Sequence, residues 1–496
     1  MRRVRTSSGA TAVQVVHKRG RRVLGIEHIG SAHDEAQLVL LVAAARERMH
    51  VGQGELPLDE EVGGRPVGAP RVVATPSLVL WDALEGVYTS LGFDAVGDAA
   101  FKALVLGRII EPTSKVDTLR VLAEVGVSAP SPATVTRCLR RVVERDYRGV
   151  LAGACYAHAT AGARLALVLY DVTTLYFETD KEDELRKVGM SKERRVDPQV
   201  TVGLLTDASG FPLEVHLFAG NKAETTTLIP VLTGFADSHQ GADVVVVADA
   251  GMLSAANLLA LEDAGFRFIV GSRITKAPYD LADYVQAHGD HLADGQTIET
   301  TRVMGVGPKA RSRRVVYQYV FKRAQHDNRA INAMIARAEK VADGTRAAKK
   351  DRFVKLTGAA PEVDWALVDR ARSLAGIKGY VTNIAPEVMN GPAVVAAYKD
   401  LYQVERSFRM AKSDLRARPI FHHQRDSIEA HLTIVFAALA LSREAQARTG
   451  LSIKKTLTTL RPLRSAVLAI GDHTTTALPH IPPDVRELLT HLQGGH

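Results

Sequence analysis

The chain has 496 residues, 46% hydrophobic and 24% charged, which is ordinary globular usage, enough for about three folded units, and excludes wholesale disorder, collagen-like repeats and a coiled-coil rod. Lys and Arg number 63 against 55 Asp and Glu, a net charge of +8 that points toward polyanionic partners. Cys138 and Cys155 are the only cysteines, too few for a disulfide framework or a thiolate zinc site, so a reducing compartment is expected and any metal must be oxygen-bound.

Arg2, Arg3 and Arg5 are followed by Thr, Ser and Gly, not by the apolar core of a secretory signal. The apolar run Ile434 to Leu441 stops at Ser442, Arg443 and Glu444, short of the roughly 20 residues that span a bilayer. A cytoplasmic, bacterial-style protein with access to nucleic acid is the expectation. Residues 1–51 are predicted to hold a small hairpin around a Lys-Arg-Gly-Arg-Arg turn and a helix, and the Gly- and Pro-rich stretch 52–77 a linker. From 78 to 160 the apolar residues recur at helical spacing, which predicts an all-helical module. Within it Ser131-Pro132 opens a helix over 132–145 that exposes Thr134, Thr136, Arg137, Arg140 and Arg141. These form either a DNA-recognition surface or the solvated side of a bundle helix.

After residue 160 the period changes. Leu165–Asp171, Val200–Leu205 and Leu213–Phe218 read as strands, with Asp207-Ala208-Ser209-Gly210 turning the last two into a hairpin. A helix near Glu224–Phe235, the run Asp243–Ala248, a helix near Ser254–Ala264 and a strand at Phe266–Gly271 complete the order β-β-β-α-β-α-β over 161–273. That order predicts an α/β domain in which acidic groups at strand ends converge. Residues 274–385 break it with a basic insertion that includes Arg302, Lys309, Arg311, Arg313, Arg314, Lys322 and Arg323, and later Lys349, Lys350, Arg352 and Lys355. Strands are predicted there at Val315–Phe321, Trp365–Val368 and Gly379–Thr382, with a helix from Asn328 to Val341. The α/β domain resumes over 386–447, and a helical tail fills 448–496.

Asp171 and Asp249 each end a strongly apolar strand. Each on its own reads more readily as a turn or cap residue; together with a third carboxylate they would form a set of hard oxygen ligands suited to Mg²⁺ or Mn²⁺. Two such ions about 4 Å apart can activate a water or hydroxyl and stabilise the leaving oxygen of a phosphodiester. A helix from Gly391-Pro392 to Arg418-Pro419 carries Tyr398, Glu405 and Lys412 at intervals of seven, which puts them on one stripe. The alternative is a solvent-facing stripe in which Arg409 answers Glu405.

The segment from Tyr398 to Lys412 resembles the Tyr-x₂-Arg-x₃-Glu-x₆-Lys signature of bacterial insertion-sequence DDE transposases. Tyr398, Glu405 and Lys412 match three of its positions; the Arg position is Leu401, and Arg406 and Arg409 are the nearby guanidinium groups. Leu169-Tyr170-Asp171-Val-Thr-Thr and Val247-Ala248-Asp249-Ala-Gly-Met are similar to the first and second Asp motifs of that class. Gly220-Asn221-Lys222-Ala223-Glu224 and Arg418-Pro419-Ile420 are similar to further family patterns, so the resemblance covers roughly residues 100–445.

The resemblance implies a ribonuclease-H-like catalytic fold interrupted by a β-rich insertion, and a protein that binds terminal inverted repeats, cuts them and joins the freed 3′ ends to target DNA. It implies Asp171, Asp249 and Glu405 as catalytic metal ligands for two Mg²⁺ or Mn²⁺ ions, with Tyr398, Lys412, Arg406 and Arg409 positioning DNA phosphates. End recognition would fall to Thr134, Arg137, Arg140 and Arg141, backbone contacts to the basic insertion, and the DNA complex would hold a homodimer. A metal-dependent nuclease on the same fold, or a non-catalytic DNA-binding descendant of a transposase, are the competing expectations.

Overall fold

The computed structural model describes the chain apart from residues 7–9, 20–21, 34, 50–69, 163–164, 191–195, 240–243, 253, 273–278, 290, 348–350, 357–359, 471–472 and 495–496. Most of the expected linker, as well as Lys349 and Lys350, therefore lies outside the described residues. The chain divides into two units, Met1–Arg71 with Ala469–Thr474, and Val72–Leu468 with Thr475–His496.

In the first unit, strands Arg2–Arg5, Thr11–Arg19 and Arg22–Ala32 form an antiparallel sheet, and helix Glu35–Met49 follows. Val13, Val15, Val42 and Ala45 make its small core. The hairpin expected from the sequence is present; its turn lies outside the described residues.

The second unit begins with helices α1 (Leu78–Ser90), α2 (Ala99–Ile110), α3 (Thr118–Glu124), α4 (Pro132–Glu144) and α5 (Tyr147–Thr160). Local chemistry sets their ends: Ser131 accepts from the Thr134 amide at the start of α4, with Pro132 at its first position. Asp98 caps α2 through the Ala100 and Phe101 amides. Its other oxygen takes two bonds from Arg141 at 2.6 and 2.9 Å and one from the Tyr147 hydroxyl at 2.9 Å. One carboxylate thus joins α2, α4 and α5.

Eight strands follow: β1 (Leu167–Tyr176), β2 (Gln199–Asp207), β3 (Pro212–Ala219), β4 (Val245–Ala248), β5 (Arg267–Ser272), β6 (Thr297–Met304), β7 (Arg311–Tyr319) and β8 (Ile377–Thr382). They lie in one sheet in the order β6-β7-β8-β5-β4-β1-β2-β3. β1 runs parallel to β4 and β4 to β5, whereas β1, β2 and β3 are mutually antiparallel neighbours. Between the strands run α6 (Leu228–Ser238) and α7 (Ala255–Asp263), so the predicted β-β-β-α-β-α-β order is found. Central strands covered on both faces read as nearly continuous apolar runs. Val168, Leu169 and Tyr170, and Val246, Val247 and Ala248, are accordingly fully buried.

The insertion differs from expectation. It is mixed, with α8 (Tyr279–His288), α9 (Phe321–Ala342) and α10 (Trp365–Ser373), and its three main strands continue the central sheet from β5 outward. The predicted strand at Trp365–Val368 is the start of α10, because Asp364 accepts from the Leu367 amide and caps it. Asn383 bonds the Phe268 amide and the Phe266 carbonyl, fixing β8 against β5. Several basic residues expected to face DNA instead hold this graft in place. Arg313 is buried against Glu262 at 2.7 and 2.8 Å, and Arg314 bonds Glu299 and the carbonyls of Ile384 and Met389.

The expected single helix over 391–418 is broken into α11 (Gly391–Lys399), α12 (Tyr402–Arg409) and a π turn at Met410–Asp414. Between α11 and α12 the amides of Leu401, Gln403 and Val404 bond carbonyls three residues back, a tighter winding that rotates everything after it relative to a regular α-helix. The apolar run 434–441 lies inside α13 (Arg425–Thr449), a core helix packed on α2 and α4. Among the described residues no helix is long and apolar enough to cross a membrane.

Candidate active site

β1 and β4 are hydrogen-bonded parallel neighbours with Tyr170 opposite Ala248, so the next residues, Asp171 and Asp249, stand at the same level; β4 ends there, whereas β1 does not end at Asp171 as expected but runs on to Tyr176, because Asp171 and the residues after it pair with β2. Neighbouring strands are about 4.8 Å apart, which brings the two carboxylates to one edge. Ser254, not Asp249, caps α7 by accepting from the Asn257 amide.

Tyr398 on α11 is 5% exposed and its hydroxyl donates to Asp249 Oδ1 at 2.8 Å. The ring fits because β5 carries Gly271, where a Cβ would stand 2.5 Å from the Tyr398 hydroxyl. Burial raises the phenol's pKa, and the Asp249 charge raises it further. Tyr398 is thus held as a protonated donor to Asp249.

A cleft of about 320 Å³ opens beside this pair, lined by Asp249, Tyr398, Leu401, Glu405, Arg323 and Lys378 among others. Lys378, on β8, sits with Nζ 4.2 Å from the centre of the Tyr398 ring. Burial lowers its pKa, the Arg323 charge pushes the same way, and Asp249 and Glu405 pull it back up. One cleft therefore holds two carboxylates and three cations, Arg323 and Lys378 supplied by the insertion and Lys399 by α11.

Glu405 is exposed on α12 and faces the same cleft as Asp249. Lys412 lies within the π turn and points elsewhere, its side chain lining an apolar cavity with Thr173 and Leu175. Thr173 shares a strand face with Asp171, so Lys412 covers the Asp171 face of β1 instead of extending the Tyr398–Glu405 stripe. Arg406 is turned into a separate cleft with Gln403 and Arg443, and Arg409 is exposed outside the cleft lining. Neither takes the place that Leu401 leaves beside Asp249.

The remaining predicted residues lie on α4. Arg137 and Arg140 are exposed; Arg137 also donates to Thr134 Oγ1 at 3.1 Å. Arg141 is engaged by Asp98 and faces the helical core. Sequence reasoning missed Lys378 altogether and placed Arg323 only in a general basic stretch. No periodicity marks either, since only the pairing of β8 with β5 brings them to the site.

The donor set of Asp171, Asp249 and Glu405 is chemically suited to a hard divalent cation. Among the described residues no three such side chains are close enough to hold one together. The fit is therefore clearest for Asp171 and Asp249, level on adjacent parallel strands, with Glu405 lining the Asp249 cleft.

The eight-stranded sheet, whose strands β1 to β5 fit a ribonuclease-H-like transposase fold, with Asp171 within β1 and Asp249 just past the end of β4, defines the class. The chain belongs to the transposase DDE domain family, whose sequence model matches residues 164–441. No curated protein sequence matches it. Among solved structures it is similar to a piggyBac transposase in a synaptic complex with hairpin DNA, at 10% identity and a TM-score of 0.36, over 78% of this chain and 70% of that one.

Proposed function

We propose that this transposase is encoded by a bacterial insertion sequence, binds the terminal inverted repeats of its element, cuts DNA there and joins the 3′ ends to a target. The observation that carries this reading is the placement of Asp171, within β1, level with Asp249, just past the end of the neighbouring parallel strand β4, with Glu405 and Asp249 lining one cleft. Asp171 and Asp249 would hold a Mg²⁺ or Mn²⁺ ion, and Glu405 would complete a second position. Bound there, such ions supply Lewis acidity and an activated oxygen nucleophile.

The chain's own residues divide the remaining work. The Tyr398 hydroxyl fixes the orientation of Asp249. Lys378 and Arg323 neutralise a phosphate drawn into the cleft, the role for which Leu401 has no charge. Lys412, over the Asp171 face of β1, orients the strand on that side, while Arg137 and Arg140 on α4 read the terminal repeat from an exposed helix face.

The test is incubation of the protein with Mg²⁺ and a supercoiled donor plasmid carrying the element's ends. Excised element joined to target DNA is expected. Cleavage without joined products would make the protein a nuclease, and end binding with no cleavage would make it a DNA-binding descendant of a transposase.

A further inference from the structure

Arg108, near the end of α2, is 7% exposed, and among the described residues its guanidinium has no hydrogen-bond or ion-pair partner. Three further nitrogen bases lie close enough to feel its charge. Lys115, in the α2–α3 connection, donates from Nζ to His431 Nδ1 at 3.0 Å. His431 Nε2 donates to the Ala417 carbonyl at 3.0 Å, and the ring centres of His422 and His431 are 5.7 Å apart.

The neighbouring acids are turned to other partners. Glu111 and Asp117 pair with Arg120, and Glu429 pairs with Arg148 and Arg425. The charges felt within the cluster are consequently one another's. Burial drives every member toward losing its proton, and neighbouring cations add to it in all but Arg108: Arg108 down to about 10 by burial, His422 down to about 4 with Lys115, Arg108 and His423 pushing the same way, Lys115 and His431 well below their ordinary values. An arginine cannot escape by deprotonating at neutral pH, and a buried cation is tolerable only with a compensating partner.

We propose that Arg108, Lys115, His422 and His431 form a phosphate-binding site that takes a backbone phosphodiester of DNA, separate from the Asp171–Asp249–Glu405 cleft. None of the four lines that cleft. Two neighbouring features favour a nucleic acid as the source of the phosphate. Phe421, adjacent to His422, is 70% exposed and offers a ring on which a base can stack. Arg416, Arg461 and Arg464 line a cleft with Ile109 and Ile110, next in sequence to Arg108, and with Lys454, which pairs with Asp414 there; its net positive charge suits a phosphate backbone.

The test uses the full chain and two probes. Inorganic phosphate, compared with chloride at equal ionic strength and pH 7, should raise the thermal midpoint of the wild type and leave that of Arg108→Met unmoved. Without phosphate, Arg108→Met should unfold no lower than wild type, because a buried cation lacking a carboxylate partner has been removed. His422→Gln, at a half-exposed edge position, should weaken the phosphate effect and decides the matter where Arg108→Met folds poorly. Equal phosphate stabilisation of wild type and both variants, or none in wild type, would overturn the site.

The second probe is a random 30-base-pair duplex. Its affinity for Arg108→Met should fall less steeply with salt, the log–log slope being shallower by about one. Lost phosphate stabilisation with an unchanged slope would overturn DNA as the source and assign the site to a free anion. The duplex measurement rests on the transposase reading and the phosphate measurement does not. Failure of strand transfer with phosphate stabilisation retained would therefore count against that reading alone.

Discussion

Tyr398 separates geometry from charge by a single atom. Tyr398→Phe keeps the ring in the space above Gly271 and removes the donor to Asp249 Oδ1. A hydrogen bond to a charged group contributes about 1.5–3 kcal/mol, so single-turnover cleavage should slow by about 10- to 100-fold with an unchanged melting temperature. A wild-type rate would show that Asp249 needs no orientation. Lys378→Met preserves the length of the side chain and should reduce the rate at saturating DNA by about 100-fold or more if the ammonium meets developing charge. A change confined to affinity and its salt dependence would make Lys378 a binding contact only. For the carboxylates themselves, Asp171→Asn, Asp249→Asn and Glu405→Gln should each abolish cleavage while gel-shift affinity for the ends is kept. Cleavage surviving in one of them would remove that residue from the set.

Among the elements, α4 combines two kinds of arginine that look alike in sequence. Arg137 is exposed, and Arg137→Ala should lower affinity for the element's ends by about 1–3 kcal/mol per lost base contact while barely changing random DNA binding. Equal weakening on both would reduce α4 to a phosphate contact. Arg141, by contrast, belongs to the Asp98 junction. Burial alone would raise the Asp98 pKa, but the bonds from Arg141, Tyr147 and the Phe101 amide outweigh it and leave it lowered. A lowered carboxyl contributes stability that is complete above its unfolded value, near 3.9, and lost as pH falls through the folded one. Asp98→Asn should therefore lower the thermal midpoint at pH 7, and the gap from wild type should narrow in melts taken progressively below about pH 4. A gap constant across that range would mean that the junction acts by shape instead of charge.

Across the whole molecule the insertion is structurally continuous with the central sheet. It adds β6, β7 and β8 beyond β5 and brings Arg323 and Lys378 to the cleft. Replacing residues 274–385 with a short linker would uncover the β5 edge, where Phe268, Ile269 and Val270 are buried. An unpaired apolar edge of that kind promotes association between chains. The shortened protein should elute as aggregate or be insoluble, and a soluble monomer on size-exclusion chromatography would show that the five-stranded part is independently stable.

Local pattern was enough for much of this architecture. Alternation and apolar runs marked β1 to β5, Ser131-Pro132 marked the start of α4, and the runs ending at Asp171 and Asp249 marked two candidate site residues, because strands and caps are specified by neighbours in sequence. The Tyr398–Glu405 pairing was also legible, since one tightened turn still leaves both facing one cleft. Lys412 was placed on the wrong stripe because a seven-residue spacing assumes unbroken helix, and the winding at Leu401 and the π turn at 410–414 alter the rotation. The engagement of Arg141 by Asp98, the basic residues holding the insertion, and the arrival of Lys378 beside Asp249 were decided only by the tertiary structure. Each depends on partners distant along the chain, and a charged residue's sequence neighbours do not reveal whether packing will turn it toward solvent, an acid or the cleft.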